Sequence, residues 1–479
     1  MKKFNYTFVA ICTVLSNSTA LLAAEWDISK EIDLSVVHSD NIALANAGAE
    51  QSDLVFQVKP SLGISGEGAR LSVDFNYSLG AVITDGDNGR DEIEDSHYLN
   101  ANATLEAIED NLFVDLEADA GVTSVNNTNS AQDIFTRSNN LTQTYSYKVS
   151  PYYRYHFGPI ADAELRYSYD SLENDKGNIS DSENNQWDFS LTSGRHFRGF
   201  NWVLSASQSE LEYSNGAKDE TSEVNADFQF RINRQFTADF GVGYEENDFN
   251  NALRQYSDTE GETWTVGTTW TPNPRVVMKL AYVDRFTGGD WDMDLKYRHR
   301  RSVLTASYST SVTNSRRQQL DDISLISTDI NGDTVFIGDQ ELLINQLQPT
   351  LANENIVQSQ FKLAYEYISR LTTVKFNTTY SERDYQTSLS STENLDSKVS
   401  LSRKLTSLTS LNTSVNWVNQ KDVTTLSEQE LMRVKLGVST ELGKQSEVSL
   451  DFQRAENEDS SGANDYDENR VTASLAMTF

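Results

Sequence analysis

Apolar side chains recur at every second position along most of this chain. Leu54, Phe56 and Val58 make one run, and Leu71, Val73, Phe75, Tyr77 and Leu79 make the next. Leu112, Val114, Leu116, Ala118 and Ala120 follow, then Val224, Ala226, Phe228, Phe230 and Ile232, and later Met432, Val434, Leu436 and Val438. Polar residues fill the gaps, as Ser72, Asp74, Asn76 and Ser78 do in the second run. A period of two puts the apolar set on one face of an extended chain and the polar set on the other. The pattern therefore predicts strands with one apolar and one wet face. Helical spacing is almost absent after residue 24. The alternation runs to the end of the chain, RVTASLAMTF, where Val471, Ala473, Leu475, Met477 and Phe479 are the apolar set. Most soluble domains end in a frayed polar tail; here a finished strand is expected.

The connections between runs alternate in length. Short ones fall at 65–68, 109–111, 157–159, 233–235, 272–274 and 443–445, several with Arg, Lys or His beside them. Long ones, rich in Asp, Glu, Asn, Ser and Gly, fall at 84–96, 125–138, 171–186, 246–262, 420–430 and 456–468. Alternating short and long links make hairpins with one tight end and one ragged end. That is the pattern of an outer-membrane barrel with short periplasmic turns and long external loops. The expected fold is all-β: a transmembrane antiparallel up-and-down barrel of about 22 strands, within a range of about 18–24. Closure explains the last strand, which is expected to pair with strand one near residues 28–36 and leave no open edge. Phe479 then stands at the periplasmic interface as a candidate assembly signal. Aromatics near strand ends, among them Trp187, Trp202, Trp264, Trp270, Trp291, Trp417, Tyr152 and Tyr153, suit interfacial girdles.

The first 24 residues read as a secretory signal peptide: Lys2 and Lys3, a short apolar run over residues 8–15, then small residues to Ala23-Ala24. The barrel is expected over 25–479. The one cysteine, Cys12, lies in that leader, so the mature chain is expected to form no disulfide and no thiolate metal site. Among 479 residues, 39 Lys+Arg face 71 Asp+Glu, a net charge of −32. This argues against a nucleic-acid partner, because phosphate binding needs a basic footprint.

The wet faces carry the candidate chemistry. Arg70, Asp74, Glu164, Arg166, Asp292, Asp294, Lys296, Lys362, Glu366, Glu447 and Asp451 are candidate lumen residues. They carry both signs, which suits neutral solutes, cations or neutral glycans better than a strongly anionic polymer. No His pair has metal-ligand spacing, and no Gly-x-Ser-x-Gly elbow occurs, so no catalytic residue is assigned and no enzyme is expected. No cofactor is expected beyond weak divalent cations at the acidic loops. Asp329, Asn331 and Asp333 alternate like the start of a calcium loop, but Thr334 and Gln340 stand where that loop needs Gly and Glu. The 313–358 connection is out of scale. It carries an Asn331-Gly332 turn signal, across which 323–326 and 334–337 are expected to pair as strands, and an expected helical turn over 342–347, and it either folds into the lumen or caps it. With no plug expected before the first strand, this segment or the lumen side chains are expected to close so wide a barrel.

Residues 57–79, QVKPSLGISGEGARLSVDFNYSL, follow an opening strand with HSDNI (38–42), and EDNLFVDLEA (109–118) comes soon after. These stretches resemble the outer-membrane β-barrel proteins associated with exopolysaccharide/PEP-CTERM gene systems in Gram-negative bacteria. The motif similarity covers roughly the first hundred residues of the mature chain. The resemblance implies an outer-membrane location near polysaccharide export machinery and supplies no catalytic residue. The expected role is a porin-like channel associated with exopolysaccharide export. The rivals are a structural or surface-interaction barrel with an occluded lumen and glycan- or cation-binding loops, and an outer-membrane enzyme. Expected partners are outer-membrane lipid and lipopolysaccharide, the outer-membrane assembly machinery, and exopolysaccharide export components. Deleting Phe479 is expected to reduce assembly in the outer membrane, read as loss of the heat-modifiable gel band; normal insertion without it removes the role as a signal.

Overall fold

The computed structural model describes residues 25–85, 91–124, 134–136, 141–175, 179–249, 259–324, 355–386, 388–462 and 464–479. The first arc of strands is β1 (Glu25–Ser39), β2 (Asp53–Glu67), β3 (Leu71–Asp85), β4 (Asp91–Ile108), β5 (Leu112–Ser124), β6 (Leu141–His156) and β7 (Ala161–Asn174). The second is β8 (Ser182–Ser193), β9 (Phe200–Tyr213), β10 (Lys218–Arg231), β11 (Phe236–Phe249), β12 (Glu260–Asn273), β13 (Val276–Arg285), β14 (Gly288–Arg298) and β15 (Ser302–Asn314). A helix, α1 (Ser315–Ser324), leaves β15. The third arc is β16 (Asn355–Ile368), β17 (Thr372–Tyr385), β18 (Ser391–Lys404), β19 (Thr409–Asp422), β20 (Ser427–Glu441), β21 (Ser446–Asp459) and β22 (Tyr466–Thr478).

Every strand pairs antiparallel with its neighbours in sequence, and β22 pairs with β1, so the chain is a closed barrel of 22 strands. Closure is necessary because lipid offers no partner to a free backbone N–H or C=O. At the seam Glu31 to Ser39 pair with Thr478 to Arg470. That register lies three residues closer to the outer end of β1 than the expected 28–36. The Phe479 N–H donates to the Lys30 carbonyl at 2.9 Å, so the ladder is used to the last residue.

The alternation sorts the two faces. On β10, Val224, Ala226, Phe228 and Phe230 face outward, with Ile232 in the turn that follows, and on β11 Phe236, Ala238, Phe240, Val242 and Tyr244 face the same way. Each outer run spans nine residues by number, the length a tilted strand needs to cross the hydrocarbon. Beyond it the outer face turns ionic: Lys218 contacts Glu210 at 2.6 Å and Glu220 at 2.8 Å. Strands thus continue past the membrane into the solvent. Both ends of the polar stretch 246–262, expected to be loop, are strand, with β11 reaching Phe249 and β12 starting at Glu260. The same correction applies at 171–186, 420–430 and 456–468. A polar outer face stops burial in lipid, but it does not stop backbone pairing.

Aromatic side chains band the outer surface. Trp264, Tyr282 and Trp291 sit side by side on β12, β13 and β14, with ring centroids 5.5 and 5.4 Å apart. Toward the periplasmic end, Phe200 lies 4.6 Å from Phe230, and Phe236 lies 6.2 Å from Trp270. Trp26 covers Gly66 across the β1–β2 ladder; a Cβ there would fall 2.5 Å from the indole, so the position needs glycine. Among the described residues no helix is long and apolar enough to cross a membrane, a statement that leaves strands untouched. The leader 1–24 and the candidate cation ligands Asp329, Asn331 and Asp333 lie outside the described residues, as do the turn at 331–332 and the 342–347 segment.

Phe240 stands midway along its outer run. Phe240→Arg is expected to destabilise the barrel by about 2–4 kcal/mol, and Phe236→Arg at the interface by about 0–1 kcal/mol. Urea unfolding in lipid vesicles measures both; equal costs would contradict the assigned membrane depth.

Candidate functional site

The faces opposite the aromatic bands point into the barrel. The register gives Asp74, Glu164, Arg166, Asp292, Asp294, Lys296, Lys362, Glu366, Glu447 and Asp451 this inner orientation. They do not converge on one point. Arg166 on β7 bonds Asp115 at 2.7 Å and Glu164 at 3.2 Å, and its guanidinium lies 3.9 Å from the Tyr152 ring. Glu366 contacts Lys375 at 3.5 Å, and Asp451 contacts Lys435 at 3.9 Å. Asp292, Asp294 and Lys296 follow one another along β14. Arg70 sits at the β2–β3 turn and reaches Glu109 at 2.7 Å, with both side chains largely exposed at the periplasmic end.

The outer mouth is where chain segments enter the lumen. The long connection begins later and ends earlier than the sequence suggests, because β15 runs to Asn314 and β16 starts at Asn355. Its start turns inward as α1, so Ile323, expected to begin a strand, is helical. The Asn314 side chain caps the helix, accepting from the Arg317 N–H at 2.8 Å. Arg316, Gln319 and Ile323 share one helical face. They dock on the wall formed by β5 to β8. Arg316 donates to Ser182 at 2.7 Å and to the Asp170 carboxylate. Gln319 donates to Thr144 at 2.9 Å and to Asn174. Ile323, 2% exposed, lies on Gly121, where a Cβ would meet its side chain at 3.4 Å. At the far end of the connection the Asn355 amide reaches Asp219 on β10 at 3.2 Å. A helix this short is marginal by itself, so these side-chain contacts hold it in place.

The seam side of the mouth is covered by other means. Val37, Val55, Val82 and Tyr98 are lumen-facing yet buried, and they form a cluster with Ile42 and Ile134 from the outer connections. The Ile42 N–H donates to the Gln51 carbonyl at 2.8 Å. Buried Asn41 donates to the carbonyls of Ala45 at 2.8 Å and Asp467 at 3.0 Å. Beside it Glu468 accepts from Ser39 at 2.6 Å and from Arg470 at 2.8 Å, and the Arg470 guanidinium lies 5.7 Å from the Phe135 ring. Farther round, Glu245, 1% exposed, holds Arg285 at 2.6 Å and accepts from the Phe286 N–H at 3.1 Å. That contact fixes the two-residue outer hairpin between β13 and β14.

Between α1 and the wall of β5 to β11 lies a chamber of about 620 Å³ in the outer half of the lumen. Its lining is mostly hydroxyl, amide and carboxylate. Sequence reasoning missed Arg316, Gln319 and Ile323, although their spacing at i, i+3 and i+7 is a helical face. It also missed the seam cluster, whose signal is the broken alternation at Val36-Val37 and Leu54-Val55-Phe56: adjacent apolar residues mean that both faces of the strand are apolar. Among the described residues no group of three or more His, Cys, Asp or Glu is placed to hold a metal.

No family model matches the chain, and no curated protein matches it in sequence. Solved structures match its fold. The siderophore receptor PirA from Acinetobacter baumannii aligns with a TM-score of 0.53 at 8% identity, covering 95% of this chain and 80% of the receptor. The FrpB iron transporter from Neisseria meningitidis, F5-1 variant, gives 0.52 at 9% identity, covering 95% and 83%. The siderophore receptor PiuA from Acinetobacter baumannii gives 0.52 at 9% identity, covering 94% and 82%. The chain is an outer-membrane β-barrel of the Gram-negative type, with a fold similar to that of siderophore-receptor barrels.

Proposed function

We propose that the barrel is a porin-like conduit for polar solutes, closed at its outer mouth by its own chain. The observation that carries this reading is α1, which leaves β15 and docks on β5 to β8 through Arg316, Gln319 and Ile323. Barrels of 22 strands are wide enough to need a plug. Here side-chain contacts close part of the mouth, and such contacts can be released without disturbing the ladder. The lumen's mixed charges favour neutral cargo, and the sequence likeness of residues 38–118 supports polysaccharide as that cargo. Partners on this reading are lipopolysaccharide around the outer rim, the assembly machinery that inserts the barrel, and polysaccharide export components. No catalytic role is proposed. The second reading is a structural barrel whose mouth stays shut; the buried seam cluster at Val37, Ile42, Val55 and Val82 favours it.

The Arg316–Asp170 pair separates the two. Arg316→Ala leaves a largely buried carboxylate without its cation, a cost of about 3–5 kcal/mol for such pairs. A ten-residue helix is too weak to hold against that cost. Amide hydrogen exchange in α1 is expected to accelerate in the variant while β15 stays protected. In planar bilayers the native barrel is expected to pass little current, Arg316→Ala to flicker, and a chain with 315–354 replaced by a short Gly-Ser linker to conduct steadily. Silence from all three sinks the conduit and leaves the structural barrel.

A further inference from the structure

We infer that the chamber between α1 and β5 to β11 is a binding site for a neutral, hydroxyl-rich solute, an oligosaccharide in chemical class. The inference rests on the conduit reading only for how the solute arrives. The chamber, about 620 Å³, falls within the ~300–1,000 Å³ of small-molecule sites.

Its wall is built by register. Gln186, Ser209, Thr221 and Asn247 stand opposite one another on β8, β9, β10 and β11 as one cross-strand row. One step deeper, Ser207 on β9 is opposite Glu223 on β10. Neighbouring strands lie about 4.8 Å apart, so the rows form a grid of donors and acceptors on the inner wall. All have the parity opposite to the lipid-facing Trp187, Leu204 and Val224, so they face inward. Leu211, Phe249 and Leu320 add an apolar margin at the outer edge. A carbohydrate presents the complement, with hydroxyls around its rim and C–H groups on its faces.

Charge decides against the alternatives. The ionic groups of the chamber are largely matched within the protein: Arg316 with Asp170, Arg285 with Glu245 at 2.6 Å, and Lys148 near Glu117 at 3.5 Å. Asp119 takes the Asn100 amide at 2.7 Å, and Glu223 takes the Asn225 amide. An anionic ligand would meet these carboxylates, and a strongly cationic one would meet Lys148 and Arg317 on the same lining. A neutral ligand bonds to both signs without displacing either.

Isothermal titration of the refolded full chain in detergent micelles tests this. The probes are maltotriose, triacetylchitotriose and trigalacturonate. At least one neutral trisaccharide is expected to bind, and the trianion is not. The isosteric pair Asp119→Asn with Glu223→Gln is expected to weaken binding roughly tenfold or more, as loss of charge-assisted hydrogen bonds does. Ser207→Phe fills the chamber and is expected to abolish binding, with heat-modifiable mobility confirming the fold. No heat from either neutral sugar, unchanged affinity in both variants, or tighter binding of trigalacturonate overturns the inference. A barrel that binds sugar but never conducts loses the conduit and keeps the site; one that conducts but never binds keeps the conduit and loses the site.

Discussion

A backbone that enters lipid must satisfy its own hydrogen bonds, and the rest of this structure follows from that condition. An open sheet fails it at both edges, so β22 has to meet β1. The closed ladder fixes which side chains face out and which face in, because the period is two. Nine-residue apolar runs on β10 and β11 then meet the hydrocarbon, and their alternates meet the lumen. The ladder is indifferent to polarity, so it continues above the membrane wherever the chain can extend. That is why the ends of acidic stretches that look like loops are strand.

A closed wall creates a second problem, a wide lumen open to the outside. The described residues answer it at two places with different chemistry. At the seam, apolar side chains appear on the lumen face and pack with Ile42 and Ile134, a small core inside the mouth. Across the barrel, α1 lies on a polar wall and is held by hydrogen bonds and one nearly buried ion pair. An apolar core resists opening because separation exposes its surface to water. A polar dock can exchange its contacts for water or for another hydroxyl-bearing group at smaller cost. The two covers therefore differ in how readily they move, and the chamber lies beside the more labile one.

The resemblance to siderophore-receptor barrels is one of architecture, at identities of 8–9% for the matches given above. Lipid constrains the outer face of every such barrel in the same way, so sequences of very low identity can share one wall. What distinguishes them lies inside, where no shared solvent dictates the side chains. The grid on β8 to β11 and the helix that roofs it belong to that unconstrained space.

The sequence alone put the strand number near 22, within 18–24, and indicated the sidedness of the strands and the closing role of RVTASLAMTF, since all three rest on local periodicity that lipid enforces residue by residue. It also placed Asp74, Arg166, Asp292, Asp294, Lys296, Lys362 and Glu366 on wet faces, where the register puts them on the inner side. It did not show which of them meet, because partners across a barrel share no local pattern. Arg316 finds Asp170 146 positions away, Gln319 finds Thr144 175 away, and Ser39 finds Glu468 429 away. The helical face of α1 was present as spacing, but residues 323–326 read as a strand, and its destination was not legible at all. A ten-residue polar helix has no preference strong enough to choose solvent or lumen by itself. Only the closed barrel, by bringing β5 to β8 opposite the end of β15, supplied the carboxylate, hydroxyls and amide that decide it.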